Sequence, residues 1–259
     1  MAKNDDRQSK SQSNRSRAAA QKQRESVVRW IGVGAIAALV VGVIVIGFVG
    51  TGGNDKPSNT TKDQLTLGGY PTNGFSESNL SWSPNPDSKA ASTLVIWEDF
   101  QCPACRQFEY LNGTSVEKLA ADDVVKVEYR MTAFLDNNFP ESDYSSHRAI
   151  NAFGCAVDAG VGQKFHDLIY INQPEKEGTG FTDETLVNFA KSAGEKDLGA
   201  FSNCVYGRSF MKWGSDSTQM FFDEGIPGTP HVLLDGKEPT TDDLKSNETF
   251  LAWVNANKK

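Results

Sequence analysis

The sequence predicts an α/β domain interrupted by an inserted helical block and carried behind a single N-terminal transmembrane helix. Three observations predict it. Residues 30–53 form an uncharged, apolar run. Residues 93–131 read strand, helix, strand. A series of helical periodicities from residue 145 onward then gives way to β character at Val232.

The elements follow in chain order. Residues 1–29 hold eight basic residues against Asp5, Asp6 and Glu25, a charge of +5, in a background of Ser, Gln, Asn and Ala. A segment this polar buries no core and reads as a basic, disordered cytoplasmic tail. Residues 30–53 carry no charge at all over 24 positions. About 20 apolar residues suffice to cross a hydrocarbon layer of roughly 30 Å. A cleaved secretory signal has a shorter apolar region, about 7–15 residues, and an A-x-A-like end. This run is longer and ends in Gly50-Thr51-Gly52-Gly53, so an uncleaved transmembrane anchor is expected. Basic residues crowd the N-terminal flank, which by the positive-inside rule keeps that end in the cytoplasm. The expected product is a single-pass protein of the cell membrane with an extracytoplasmic domain. Setting the tail's +5 aside turns the chain's net −7 into −12 for the rest. That acidity argues against nucleic acid as a partner, because phosphate neutralisation needs a basic face. Residues 54–63 read as a flexible linker. Export places all four cysteines in an oxidising compartment.

Residues 64–259, 196 in all, suffice for one domain. Thr93 to Trp97 is a short apolar, β-rich run that suits a buried strand. Phe108, Leu111, Val116, Leu119 and Ala120 recur at roughly helical intervals, interrupted at Asn112-Gly113. Val125, Val127 and Tyr129 then alternate with Lys126, Glu128 and Arg130, the mark of a half-buried strand. Together they predict a βαβ unit with parallel strands. Helical spacing returns in His147 to Asp158, Gln163 to Ile171, Asp183 to Ser192 and Arg208 to Phe222. Asp183 is the expected N-cap of the third, and Gly194 and Gly225 are the expected stops. Val232 to Leu234 is a strand, Asp235-Gly236 a hairpin turn with a weak partner strand beyond Lys237, and Phe250 to Val254 a closing helix.

Chemistry enters at Cys102-Pro103-Ala104-Cys105, between the buried strand and the helix. Pro103 fits a first helical turn, so the helix starts near Cys102. Its unsatisfied N–H groups and positive dipole end then face the first sulfur and favour its thiolate, the nucleophile of disulfide exchange. Cys105, one turn on, faces the sheet. A zinc knuckle would need two further ligands, but Cys155 and Cys204 are 49 residues apart and His147, His166 and His231 form no close pair. A purely structural bridge in so short a loop would constrain the unfolded chain little. Gly225-Ile226-Pro227-Gly228-Thr229-Pro230 precedes the last strand; it suits a cis Thr229-Pro230 bond, or simply a loop with two prolines.

Trp97-Glu98-Asp99-Phe100-Gln101-Cys102-Pro103-Ala104-Cys105, followed far downstream by Gly225 to Pro230 and Leu234-Asp235-Gly236, resembles the DsbA-type thiol–disulfide oxidoreductases of the thioredoxin superfamily. It is similar in particular to the membrane-anchored Gram-positive, actinobacterial members. The resemblance covers roughly residues 93–259. It implies a thioredoxin-like fold with a helical insertion at about 145–206. Catalysis would fall to Cys102, which attacks, and Cys105, which resolves, while Thr229 and Pro230 bind the substrate strand. Pro103, Ala104, Glu98 and Asp99 are then modulators of the site. No metal and no cofactor are implied.

Two departures stand out. Well-known members carry His where this chain has Ala104, which predicts a higher thiol pKa and a milder oxidant. A buried acid is common six residues before the first cysteine, where Ile96 stands here. Proton transfer from Cys105 must then run through Glu98, Asp99 or water, unless the two acids simply end the strand. Of the three pairings four cysteines allow, only Cys102–Cys105 with Cys155–Cys204 keeps the exchange motif, which makes the second pair a structural disulfide. The expected function is to introduce disulfides into unfolded exported proteins. A membrane partner of the DsbB or vitamin K epoxide reductase type would restore the oxidised state. The alternatives are a reductase or isomerase working through the same site, as in cytochrome maturation, and a non-catalytic sensor on the same scaffold.

Overall fold

The computed structural model describes residues 59–259; the expected basic tail at 1–29, the expected transmembrane anchor at 30–53 and most of the expected linker lie outside the described residues. A five-stranded sheet runs through the described residues. It comprises β1 (Phe75–Ser76), β2 (Ser81–Trp82), β3 (Thr93–Glu98), β4 (Lys126–Met131) and β5 (His231–Leu234), in the spatial order β1-β2-β4-β3-β5. β3 and β4 are parallel, from Thr93 opposite Lys126 to Glu98 opposite Met131, and β5 pairs antiparallel with β3. The apolar run suits β3 to an interior position between β4 and β5, buried without a break from Ile96 to Glu98.

Between β3 and β4, helix α1 (Pro103–Phe108) passes through a π turn (Glu109–Gly113) into α2 (Thr114–Ala121). The expected interruption at Asn112-Gly113 is therefore a widened turn and not a break. Asn112 is fully buried there, and its amide donates to the Leu244 carbonyl at 3.1 Å. The helical block comprises α3 (Ser145–Asp158), α4 (Gly162–Ile171), α5 (Asp183–Ala193) and α6 (Leu198–Tyr206). Helix α7 (Met211–Asp223) leads back to the sheet, and α8 (Asn247–Asn257) closes the chain. α3 is the hub, buried from Ser145 to Val157 and packed against α4, α5, α6 and α7. Gly154 lets α3 approach the Phe210 ring closely: a Cβ there would lie 2.7 Å from ring carbons. The Cys155–Cys204 disulfide ties α3 to α6.

Several expectations are corrected. The hairpin beyond Asp235-Gly236 has no second strand; Lys237 makes only an isolated bridge to Leu234, because Lys237, Glu238 and Pro239 offer neither an apolar face nor a full set of donors. Helix α6 has no counterpart in the sequence reading, although Asp197 caps it at Ala200 N–H (2.9 Å) and Phe201 and Val205 bury one face. The N-cap of α5 is Thr182, whose hydroxyl accepts from Thr185 N–H (3.1 Å). Asp183 is instead buried between Arg208 (2.8 Å) and Arg148 (3.4 Å). Arg208, holding that pair with a φ of 58°, stands outside the helix it was expected to begin. The linker also ends earlier than residue 63. Thr60 is buried, its N–H donates to the Asp143 carboxylate at 2.9 Å and its hydroxyl accepts from Arg208, and Lys62–Thr66 forms a 3-10 turn.

Candidate active site

The turn from β3 into α1 is built around Asp99. Its carboxylate accepts from Gln101 N–H (2.9 Å), Leu135 N–H (3.1 Å) and the Ser146 hydroxyl (2.6 Å), while its carbonyl accepts from Cys102 N–H (2.9 Å). Burial and the neighbouring Asp136 raise the Asp99 carboxyl to about 8. Gln173, beyond the end of α4, clasps the same turn from the other side, its amide donating to the carbonyls of Phe100 (2.8 Å) and Cys102 (3.1 Å). Two elements distant in sequence thus hold the first sulfur in place.

Cys102 is the N-cap of α1 and Pro103 its first residue. The Cys102 thiol, 7% exposed, lies 3.4 Å from the Thr229 carbonyl oxygen, and Thr229–Pro230 is a cis peptide bond. The structure therefore brings Cys102, Cys105, Thr229 and Pro230 together, although 127 residues separate Cys102 from Thr229. The hydrogen bond from the Cys105 thiol lowers Cys102 to about 6. Thr229 and the N–H groups of Cys105 and Ala104 add to that effect, and burial opposes it. Cys105 is fully buried, and burial, Cys102 and Glu98 push its thiol well above the ordinary value. The pair is asymmetric: an acidic sulfur near the surface and a reluctant one beneath it. Ala104 is exposed, with room for a larger side chain.

Glu98 is fully buried at the end of β3 and accepts from or donates to His166 Nε2 at 2.9 Å, according to where their proton resides. It is thus an internal group and not a strand-end residue facing solvent. Asp99 organises the turn. Cys155 and Cys204 lie away from this centre as a bonded pair, beside a cavity of about 400 Å³ lined by Asp158, Phe201 and Phe210 among others. Sequence reasoning missed Gln173, His166 and also Glu109, whose carboxylate falls within 4.8 Å of polar atoms of Glu98 and His166. Nothing local marks them, since each reaches the site only through the packing of the helical block or the π turn.

An acidic thiol at a helix start, a second thiol one turn deeper and a proline loop across from them define an oxidoreductase that works through a dithiol–disulfide couple. Comparisons agree. The family model for thioredoxin matches residues 87–256. Among solved structures, the chain resembles MdbA, a thiol–disulfide oxidoreductase from Actinomyces oris, at 22% identity and a TM-score of 0.62, covering 76% of this chain and 93% of that one. Oxidised DsbA from Mycobacterium tuberculosis is similar at 25% identity and a TM-score of 0.54, covering 64% and 82%. MdbA from Corynebacterium diphtheriae shares the fold at 21% identity and a TM-score of 0.57, over 75% and 100%. No curated protein matches. The chain belongs to the thioredoxin family and is a thiol–disulfide oxidoreductase of the DsbA type.

Proposed function

We propose that the protein is an extracytoplasmic, membrane-tethered oxidase that passes a Cys102–Cys105 disulfide to exported polypeptides. The asymmetry of the two thiols carries this reading. A client thiolate attacks the Cys102 sulfur, the less deeply buried of the two, and the bond to Cys105 breaks. A second client thiolate then attacks the client's own sulfur in the mixed disulfide and expels Cys102 as a thiolate. Because Cys102 titrates at about 6, it is a good leaving group at neutral pH, which favours donating the disulfide over keeping it. The Thr229 carbonyl beside the sulfur supports a role for this loop in pairing with an extended client backbone. Recognition through backbone suits many clients. A membrane enzyme of the DsbB or vitamin K epoxide reductase type re-oxidises the dithiol.

Equilibrating the protein with glutathione tests the direction. A potential well above thioredoxin's roughly −270 mV is the expected result. A value at or below it would assign the protein to the reductases instead. Disulfide formation in a reduced test protein, absent from Cys102→Ser, separates either enzyme from a non-catalytic sensor.

A further inference from the structure

The first turn of α3 has no cap of its own. Its N-cap residue is Tyr144, in the left-handed region at φ 56°, and the Tyr144 side chain makes no capping hydrogen bond. A helix start leaves orphan N–H groups, and a short acceptor side chain at the cap ordinarily takes one from the second or third helical residue. Here Asp136, from the 3-10 turn Phe134–Asn137 that follows β4, takes both. Its Oδ1 accepts from Ser146 N–H at 2.9 Å and its Oδ2 from His147 N–H at 3.0 Å. His147 Nδ1 lies 2.7 Å from the same Oδ2, and with a carboxylate as partner that nitrogen carries the hydrogen.

The same carboxylate reaches the reactive bend. Gln101 Nε2 donates one hydrogen to Asp136 Oδ1 and the other to Ser146 Oγ, each at 2.9 Å. Ser146 Oγ in turn donates to Asp99 Oδ1 at 2.6 Å. Gln101 N–H also donates to that Asp99 oxygen, at 2.9 Å, so the contacts close a ring. Gln101 Oε1 is buried with no donor: the amide turns its nitrogen to two acceptors and leaves its oxygen unpaired. The reverse orientation would set oxygen against a carboxylate, so Asp136 fixes which way Gln101 lies. Asp99, Gln101, Asp136 and Ser146 are each at most 5% exposed, which keeps water from competing for these bonds.

We propose that Asp136 is a positioning residue for the exchange reaction, holding Cys102 at the helix start through Gln101 and Ser146. The role rests on the reading above of Cys102 as the attacking sulfur. Gln101 directly precedes Cys102, and Cys102 N–H donates to the Asp99 carbonyl at 2.9 Å. The ring therefore sets the backbone from which the sulfur projects. The N–H groups of Cys105 and Ala104 stabilise the Cys102 thiolate only while the sulfur stays in front of them. A bend free to pivot would carry it off those donors for part of the time. Gln173 grips the carbonyls of the bend, whereas Asp136 grips its side chains, so the two holds are separate.

The test is the ultraviolet titration of the Cys102 thiolate together with the glutathione equilibrium of the full-length protein. Wild type is compared with Gln101→Ala, Ser146→Ala, Asp136→Asn and the Gln101→Ala/Asp136→Asn double variant. The first two remove no charge. Each single variant should raise the Cys102 midpoint by about 0.5–1 in pH, a fraction of a full hydrogen bond to a charged group. At pH 7 the reduced form then loses part of its thiolate, and the equilibrium shifts roughly two- to five-fold towards the disulfide. Asp136→Asn decides by sign: loss of a negative charge alone would lower the midpoint, while loss of the hold raises it. The double variant should rise by less than the sum of its two parts, because both act through one contact. Gly154→Ala, which disturbs α3 at the Phe210 ring, should destabilise the fold and leave the midpoint unchanged. Ser146→Ala removes a single oxygen and keeps the test in place should Asp136→Asn not fold. Variants that lose stability yet titrate as wild type would make Asp136 merely structural and overturn the proposal. So would a lowered midpoint in Asp136→Asn, full additivity in the double variant, or an equal rise in Gly154→Ala. A wild type whose Cys102 titrates at its ordinary value and exchanges no disulfide would overturn the exchange reading, and the positioning role with it.

Discussion

Cys105→Ala isolates the cause of the acidity at Cys102. The Cys102 thiol lies at about 6 against an ordinary 9.0. At about 1.4 kcal/mol for each tenfold change in ionisation, that is about 4 kcal/mol in favour of the thiolate. The hydrogen bond from Cys105 is the largest single contribution. A hydrogen bond to a charged acceptor is worth about 1.5–3 kcal/mol, so removing it should raise the titration midpoint by about 1–2 in pH. Thr229 and the N–H groups of Cys105 and Ala104 remain and hold the thiol below its ordinary value. Cys105→Ser keeps a donor at the same place and should recover most of the effect. The assay is ultraviolet thiolate absorbance against pH for the reduced protein and both variants. A midpoint in Cys105→Ala at or below wild type, or Ser and Ala variants that titrate alike, would refute the reasoning.

Other outcomes follow from the same geometry. Ala104→His places an imidazole on the exposed shoulder of the sulfur and should lower the Cys102 midpoint further and raise the redox potential, measured with glutathione. Because Cys102 titrates below its unfolded value, the unfolded state binds more protons between pH 6 and 9; reduced wild type should therefore gain stability over reduced Cys102→Ala as pH rises through that window, by urea unfolding. Gly154→Ala puts a methyl 2.7 Å from the Phe210 ring and should cost about 1–3 kcal/mol of stability in thermal melts. Losing the Cys155–Cys204 bridge, which spans a separation of 49, should cost up to about 4 kcal/mol on the loop-entropy account. Under mild reduction with alkylation and mass mapping, Cys102–Cys105 should open before it.

What was legible in the chain was local. The run Thr93 to Trp97 announces a buried interior strand by its own hydrophobicity. Pro103 after Cys102 places the start of a helix, because proline at the first helical position costs no hydrogen bond. The two-residue strands β1 and β2 are too short for any periodicity; tertiary contacts hold them, Trp82 of β2 packing on Tyr129 of β4 with rings 5.8 Å apart and Phe75 of β1 on Trp213 at 5.1 Å. Helix α6 had its cap and two residues that become buried, Phe201 and Val205, but Gly199, Ser202 and Asn203 diluted the pattern. Asp183 looked like a cap because Asp commonly is one, until two arginines from elsewhere claimed it. Glu98 was visible as a residue, but its partner His166 lies 68 positions away, and only the folded insertion brings the imidazole to the end of β3.

The Gln173 clasp carries a mechanical consequence. One amide grips carbonyls on both sides of the reactive bend, at Phe100 and Cys102, so the insertion and the nucleophile move as one piece. A substitution that rotates α4 by a fraction of a turn, however remote from any thiol, will register as altered sulfur chemistry before it registers as lost structure.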